Sequence, residues 1–519
     1  MLRLVRLFVT FCVDLYTMLF NNGKKQILPP IANPILLMSA VEISNNIKQG
    51  KLKARNVIEA YFERIESINL SINAVIAIRE DALIDADQID AKVQHELRGN
   101  QPLDGVSIQD KPLLGVPFSV KDSIGVKGMI ISVGLYSRRN EVALKDSTVV
   151  ANLREAGAIP IAITNVPEML TWYDTYNKLF GQTNNPYDLS RTPGGTTGGE
   201  GALIAAAGSV IGVGSDIGGS IRIPASFCGI YGHKVTPEIL SRDGLLPSVK
   251  EHMSYMFTCG PLCRYVSDII PTVKAMAGSN ISRLPNIEQR VDLSQISIYY
   301  MFETDIPWKT PLQQCVKNGL LKVVSYFEDE FDVNCVEISA NEFNRCIDLW
   351  REAMLEATTI PIAEALGDKN GKISISFEIL KSLFGLSHHT PKSLLVALLT
   401  KAQMKKQIDF KSNTKRTAKL TRKFSRLLAD NGVFLYPSHP EVAPKHESTF
   451  FKMFNIDHTT VFNIMGMPVT QCPLGLNEDG LPIGLQIASK AYNDHLTIAV
   501  ASEIYKAFGG WISPSRVQC

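Results

Sequence analysis

Two glycine-bracketed hydroxyl clusters carry the chemistry legible in this chain. The first reads Gly194-Gly-Thr-Thr-Gly-Gly-Glu-Gly201, and the second Gly214-Ser-Asp-Ile-Gly-Gly-Ser220. Thr196 and Ser220 stand 24 positions apart. Glycine permits positive φ and close backbone approach. Two such loops can bring a nucleophilic hydroxyl, a second hydroxyl and several free backbone N–H groups to one point, which is what acyl transfer needs. The same pattern also fits two solvated turns. Other chemistries fit worse. No Lys-Ser or Lys-Thr follows the glycines, as a phosphate loop requires. A dinucleotide fingerprint begun at Gly212 and Gly214 meets Ile217 where its third glycine belongs. A Gly-x-Ser-x-Gly nucleophile elbow around Ser220 fails at Arg222. His233 is near in sequence, but nothing ties it to Ser220, and it reads as a structural hydrogen-bonder.

The elements that position these loops read as α/β. The chain has 519 residues, 45% hydrophobic and 20% charged, enough for one large unit or two to three domains. A net charge of +2 points away from nucleic acid as a partner. Nine cysteines are scattered. Cys259 and Cys263 lack the second pair that a zinc site needs, so the set reads as reduced thiols facing the cytosol. Gly115–Val120 reads as a buried strand ending at Lys121-Asp122-Ser123. Ser147–Ala156 reads as a helix, Ile159–Thr164 as a strand, Ala202–Ala207 as a helix and Val210–Gly214 as a strand. Ser39-x-x-Glu42 is a capping box opening a helix. Val57, Ala60, Tyr61 and Ile65 mark a second, amphipathic helix. Pro311–Phe327 and Lys401–Asn431 read as long helices and Gly432–Tyr436 as a short buried strand. Val461–Ile487 is expected to hold strands joined by tight turns.

Two segments suggest a membrane. Arg3 and Arg6 precede the apolar run Leu7–Phe20, which holds Asp14 and is followed by Lys24 and Lys25. No small-x-small cleavage site follows, so residues 1–26 are expected to be an uncleaved anchor, a transmembrane or an interfacial helix, the alternative being an unattached or core-docked N-terminus. Residues 27–38, with three prolines, read as a linker, and 39–519 as the catalytic domain. Ser382–Lys401 holds two apolar stretches broken at Pro391. It reads either as an interfacial hairpin or as an ordinary buried helix pair. His388 and His389 point to different faces and are not expected to bind metal.

The run Gly194–Lys234 resembles the signature of the amidase-signature hydrolases. Further segments resemble the fatty-acid amide hydrolases, especially their second vertebrate type: Trp172-Tyr173, Asn177-Lys178, Asn184-Asn-Pro-Tyr-Asp188, Gly432–Pro440 and Pro468–Asn477. The resemblance runs from about Leu36 to Trp511. It implies a large mixed β-sheet covered by helices on both faces. It implies hydrolysis of long-chain fatty-acid amides by a Ser–cis-Ser–Lys triad, with no metal or cofactor. Carried over by position, Ser220 is the acylated nucleophile and Lys121 the base. The N–H groups of Ile217, Gly218, Gly219 and Ser220 form the oxyanion hole, and a cis peptide falls between Gly195 and Thr196. The chain departs from the pattern at the paired serines, here Thr196 and Thr197. Thr196 takes the bridging position and Thr197 the supporting one. The expected partners are a lipid amide and a membrane surface, with a cytosolic catalytic domain and a homodimer expected only by analogy. Two alternatives stay open: a glutaminase-type amidotransferase subunit, and a lipid-binding relative impaired by the threonines.

Overall fold

A computed structural model describes residues 27–519 apart from 307, 340–342, 369–370 and 405–407. The N-terminal apolar segment expected to be an anchor lies outside the described residues. Among the described residues thirteen strands form: β1 (Val75–Ile78), β2 (Pro117–Lys121), β3 (Ile159–Thr164), β4 (Tyr176–Asn177), β5 (Gly181–Gln182), β6 (Ile211–Asp216), β7 (Tyr231–Lys234), β8 (Thr258–Cys263), β9 (Ser297–Tyr300), β10 (Cys335–Glu337), β11 (Gly432–Tyr436), β12 (Val469–Leu476) and β13 (Pro482–Ser489). Eleven of them make one mixed sheet in the order β1-β3-β2-β6-β8-β7-β12-β13-β11-β9-β10. The neighbouring strands β3, β2 and β6 run parallel. β6 then meets β8 antiparallel. Every residue of β2, β3, β6 and β11 is buried, which demands cover on both faces of the sheet.

The covering helices follow their sequence signals. The Ser39 hydroxyl accepts from the Glu42 N–H at 3.2 Å, and the Glu42 carboxylate takes the Ser39 N–H at 2.8 Å, so the capping box opens the helix Ala40–Lys48. In the helix Ala54–Ile72, Val57, Ile58, Tyr61, Ile65, Ile68 and Ile72 form one buried stripe.

Two expectations need correction. The segment read as a linker is packed: Leu28 and Ile31 are buried, and Ile31 bridges Val517 near the C-terminus. Arg64 donates to the carbonyls of Pro29 and Pro30 at 2.8 and 3.2 Å. Prolines mark a chain that cannot continue a helix, not one that is solvated. Of the strands and turns expected over Val461–Ile487, β12 and β13 form, but the first residues belong to Asp457–Ile464, a helix buried on every residue. Buried all round, it has no apolar stripe to betray a helical period, and Thr459, Thr460 and Val461 mimic a strand.

The segment around Pro391 forms two contacting helices, Ile375–Leu383 and Pro391–Met404, with Pro391 opening the second. Their outer side is apolar: Leu383 is 77% exposed, Phe384 71% and Leu386 66%. Their inner side is polar. The Glu168 carboxylate engages His389 Nδ1 and the Thr390 N–H, each at 2.7 Å, and Lys392 pairs with buried Asp174. His388 instead stacks on Tyr136 with ring centroids 4.1 Å apart, so the two histidines do face different ways. No helix among the described residues is long and apolar enough to cross a membrane.

Candidate active site

The hydroxyl loops meet at the carboxyl ends of β2 and β6. Val120 pairs with Val213, so Lys121, the last residue of β2, lies level with Gly214, two residues before the end of β6. The Lys121 amine is fully buried. It donates to Thr196 Oγ1 at 2.5 Å and to Ser215 Oγ at 3.0 Å. Burial strips the ammonium of water and lowers its pKa to about 7, although the carboxylates of Asp216 and Glu200 pull the other way. A lysine so placed is substantially neutral at physiological pH and can accept a proton.

Thr196 belongs to the turn that enters the helix Gly198–Ala205, and the Gly195–Thr196 peptide is cis. Gly195 is needed because a Cβ there would sit 2.6 Å from the carbonyl oxygen of Asp174. Thr197 ties the two loops together: its N–H donates to the Ser220 carbonyl at 3.2 Å and its hydroxyl to the Ser215 carbonyl at 3.4 Å.

The loop from Ile217 to Ser220 is shaped by Asp216. Burial alone would raise this carboxyl's pKa. The Arg222 guanidinium, at 3.0 and 3.1 Å, outweighs that and holds it well below the usual carboxylate range. Asp216 also accepts the N–H of Gly219 at 2.8 Å and of Ile221 at 3.2 Å. Of the four N–H groups expected at an oxyanion hole, that of Gly219 is therefore turned to Asp216 instead. Gly219 acts as the hinge, with φ +116°. Among the described residues, the N–H groups of Ile217, Gly218 and Ser220 have no acceptor within the protein. Such orphaned donors on one short loop suit a developing negative charge.

Four further residues shape the site without having been singled out in the sequence. Glu200 accepts from Ser119 Oγ at 2.5 Å and Thr164 Oγ1 at 2.8 Å, and burial raises its pKa to about 8 against the pull of those two bonds and of Lys121. Its signal was a lone acid inside a Gly/Ala-rich apolar run, where burial forces neutrality or pairing. Ser215 lies within the quoted motif but was assigned no role. Trp350 Nε1 donates to the Ile217 carbonyl at 2.8 Å, and Thr459 Oγ1 to the Gly218 carbonyl at 2.7 Å. Both are over 130 residues from the loop in sequence, and no spacing announces them. His233 bonds Thr470 and Asp494 at 2.9 and 3.2 Å in the buried interior, a structural place, as expected.

Comparison with known proteins shows which family the chain resembles. The model of the amidase family matches residues 56–498. Fatty-acid amide hydrolase 2 of Homo sapiens is 39% identical over 499 residues, covering 94% of this chain and 92% of that protein. Fatty-acid amide hydrolase 2-B of Danio rerio is 38% identical over 506 residues, covering 94% and 93%. A solved fatty acid amide hydrolase shares the fold, with a TM-score of 0.74 at 21% identity over 94% of this chain and 87% of that one. This chain belongs to the amidase family, in the branch that holds the fatty-acid amide hydrolase 2 proteins.

Proposed function

We propose that this protein hydrolyses long-chain fatty-acid amides to free fatty acid and amine, through an acyl-enzyme on Ser220. The observation that carries the reading is the buried, water-stripped Lys121 amine at 2.5 Å from Thr196 Oγ1, on the loop that Thr197 fastens to Ser220. Neutral Lys121 takes the proton of the Thr196 hydroxyl as Thr196 takes that of Ser220. Ser220 Oγ attacks the amide carbonyl, and the oxyanion is received by the N–H groups of Ile217, Gly218 and Ser220. The relay then returns the proton to the amide nitrogen, without which the amine leaves poorly, and the C–N bond breaks. Water, deprotonated through the same relay, cleaves the acyl ester and frees Ser220.

A lipid substrate is supported by the kinship with proteins named for fatty-acid amides and by the exposed Leu383, Phe384 and Leu386. A large apolar surface on a water-facing helix pair fits insertion into a bilayer's interfacial region. The catalytic unit then sits on the membrane with its substrate partitioned beside it. Unbonded cysteines such as Cys228, Cys259 and Cys472 suit a cytosolic face.

The test is oleate release from oleamide by purified protein and by Ser220→Ala. Release that vanishes in the variant supports the reading. Ammonia from glutamine without oleate from oleamide would instead indicate a glutaminase-type enzyme.

A further inference from the structure

A trans peptide holds its carbonyl and its N–H on opposite sides, so whatever grips the carbonyl aims the N–H. The peptides of the loop Ile217–Ser220 are trans, and each carbonyl from Ile217 to Gly219 has its own donor. The Gly219 carbonyl accepts from the Ile223 N–H at 2.8 Å, which turns the Ser220 N–H the other way. The Gly218 carbonyl accepts from Thr459 at 2.7 Å, which sends the Gly219 N–H towards Asp216. The Ile217 carbonyl accepts from Trp350 Nε1 at 2.8 Å, leaving the Gly218 N–H facing away without an acceptor. Two of these grips aim an unpaired donor, and only that of Trp350 comes from a side chain. The indole also lies so close to the loop that a Cβ on Gly218 would be 2.9 Å from its Cζ2. The helix Cys346–Ala357 that carries Trp350 packs on the helix Asp457–Ile464 that carries Thr459, so the two grips share one support.

We propose that Trp350 is a positioning residue for the oxyanion hole: its indole N–H locks the Ile217–Gly218 peptide so that the Gly218 N–H meets the negative oxygen formed when Ser220 attacks. This rests on the acyl-transfer reading above. It assigns Trp350 an effect on the chemical step, distinct from that of a side chain that only walls the substrate.

Trp350→Phe separates the two, since it keeps an aromatic ring beside Gly218 and removes the N–H. Active sites are titrated with a fluorophosphonate, so that any unfolded fraction drops out of the rate. The probe's phosphoryl oxygen takes the oxyanion's place, so its labelling rate reads the same hole. With kcat expressed per titrated site on oleamide, the inference expects a fall of roughly tenfold, below the 10²–10³ for deleting a direct donor. KM stays within about twofold and the labelling rate falls in parallel. A raised KM with kcat and labelling rate unchanged would make the indole a wall and overturn the inference, as would no change at all. Wild type that labels at Ser220 but leaves oleamide intact removes the substrate reading alone, and the labelling comparison still decides for or against Trp350. Wild type that does not label overturns both.

Discussion

The catalytic loops and the helix pair Ile375–Met404 invert the ordinary distribution of side chains in opposite senses. Around Ser220 the interior is polar: Lys121, Glu200, Asp216 and Arg222 are fully buried. On the helix pair the exterior is apolar, with Leu383, Phe384 and Leu386 in solvent. Each arrangement opposes folding by itself, since a buried charge loses its water and an exposed aliphatic side chain keeps its unfavourable hydration. The difference lies in how each is offset. The buried groups are satisfied within the protein, by hydrogen bonds and the Asp216–Arg222 pair, and burial lowers the Lys121 pKa to about 7, as the proposed base requires. The apolar face finds no cover among the described residues. The two regions are joined through Lys392 and Asp174, whose backbone abuts Gly195 next to Thr196.

Lys121→Met tests the buried side most severely. Turnover is expected to fall by about 10⁴-fold or more, as when a member of a concerted catalytic set is removed. Stability should hold or rise, because an apolar side chain replaces a buried amine. The lysine's pKa falls on folding from 10.5 to about 7. The unfolded chain therefore binds the extra proton between those values, and this group destabilises the fold increasingly as pH drops from 10.5 to 7, and fully below 7. Melting curves of wild type and variant at pH 7 and 9 should show the variant's advantage at the lower pH. The second test is the pH profile of kcat/KM on oleamide. It should climb about tenfold per unit below the lysine's pKa and level off above it; a flat profile from pH 5 to 7 would break the assignment of the base.

The exposed side is tested with Leu383, Phe384 and Leu386 all changed to serine. Loss of about 3 kcal/mol of inserted apolar surface should weaken binding to phosphatidylcholine vesicles about 100-fold. Turnover of a short, water-soluble acyl amide should stay near wild type, because these three exposed side chains touch none of the reacting groups. Equal loss on both substrates would erase the distinction between the regions. The smallest effect is expected from Thr196→Ser. Threonine keeps the relay hydroxyl but its extra methyl restricts χ1, so serine should speed turnover severalfold, read as kcat on oleamide.

Much of the buried side was legible because it is local. β3 and β11 occupy the ranges expected, each a continuous apolar run with turn residues at its ends. Lys121 stands at a strand end, and the glycines of both loops are consecutive. The parts that stayed hidden are non-local or lack a period. Trp350 and Thr459 act on Ile217 and Gly218 from helices far along the chain. Asp457–Ile464 has no polar face to set a helical rhythm. Leu28 and Ile31 are buried by contacts with the distant C-terminus that a run of prolines does not advertise. On the helix pair the sequence left the choice between buried and interfacial open, because an apolar residue reads alike in a core and on a lipid-facing surface.

The most direct test of the central claim is to locate the acylated residue. Wild type and Lys121→Met are incubated with a fluorophosphonate at pH 7, digested, and the labelled peptide identified by mass spectrometry. The account predicts one label, on Ser220, in wild type, and labelling slowed by orders of magnitude in the variant. A label on another residue, or equal labelling of a folded Lys121→Met variant, would contradict it.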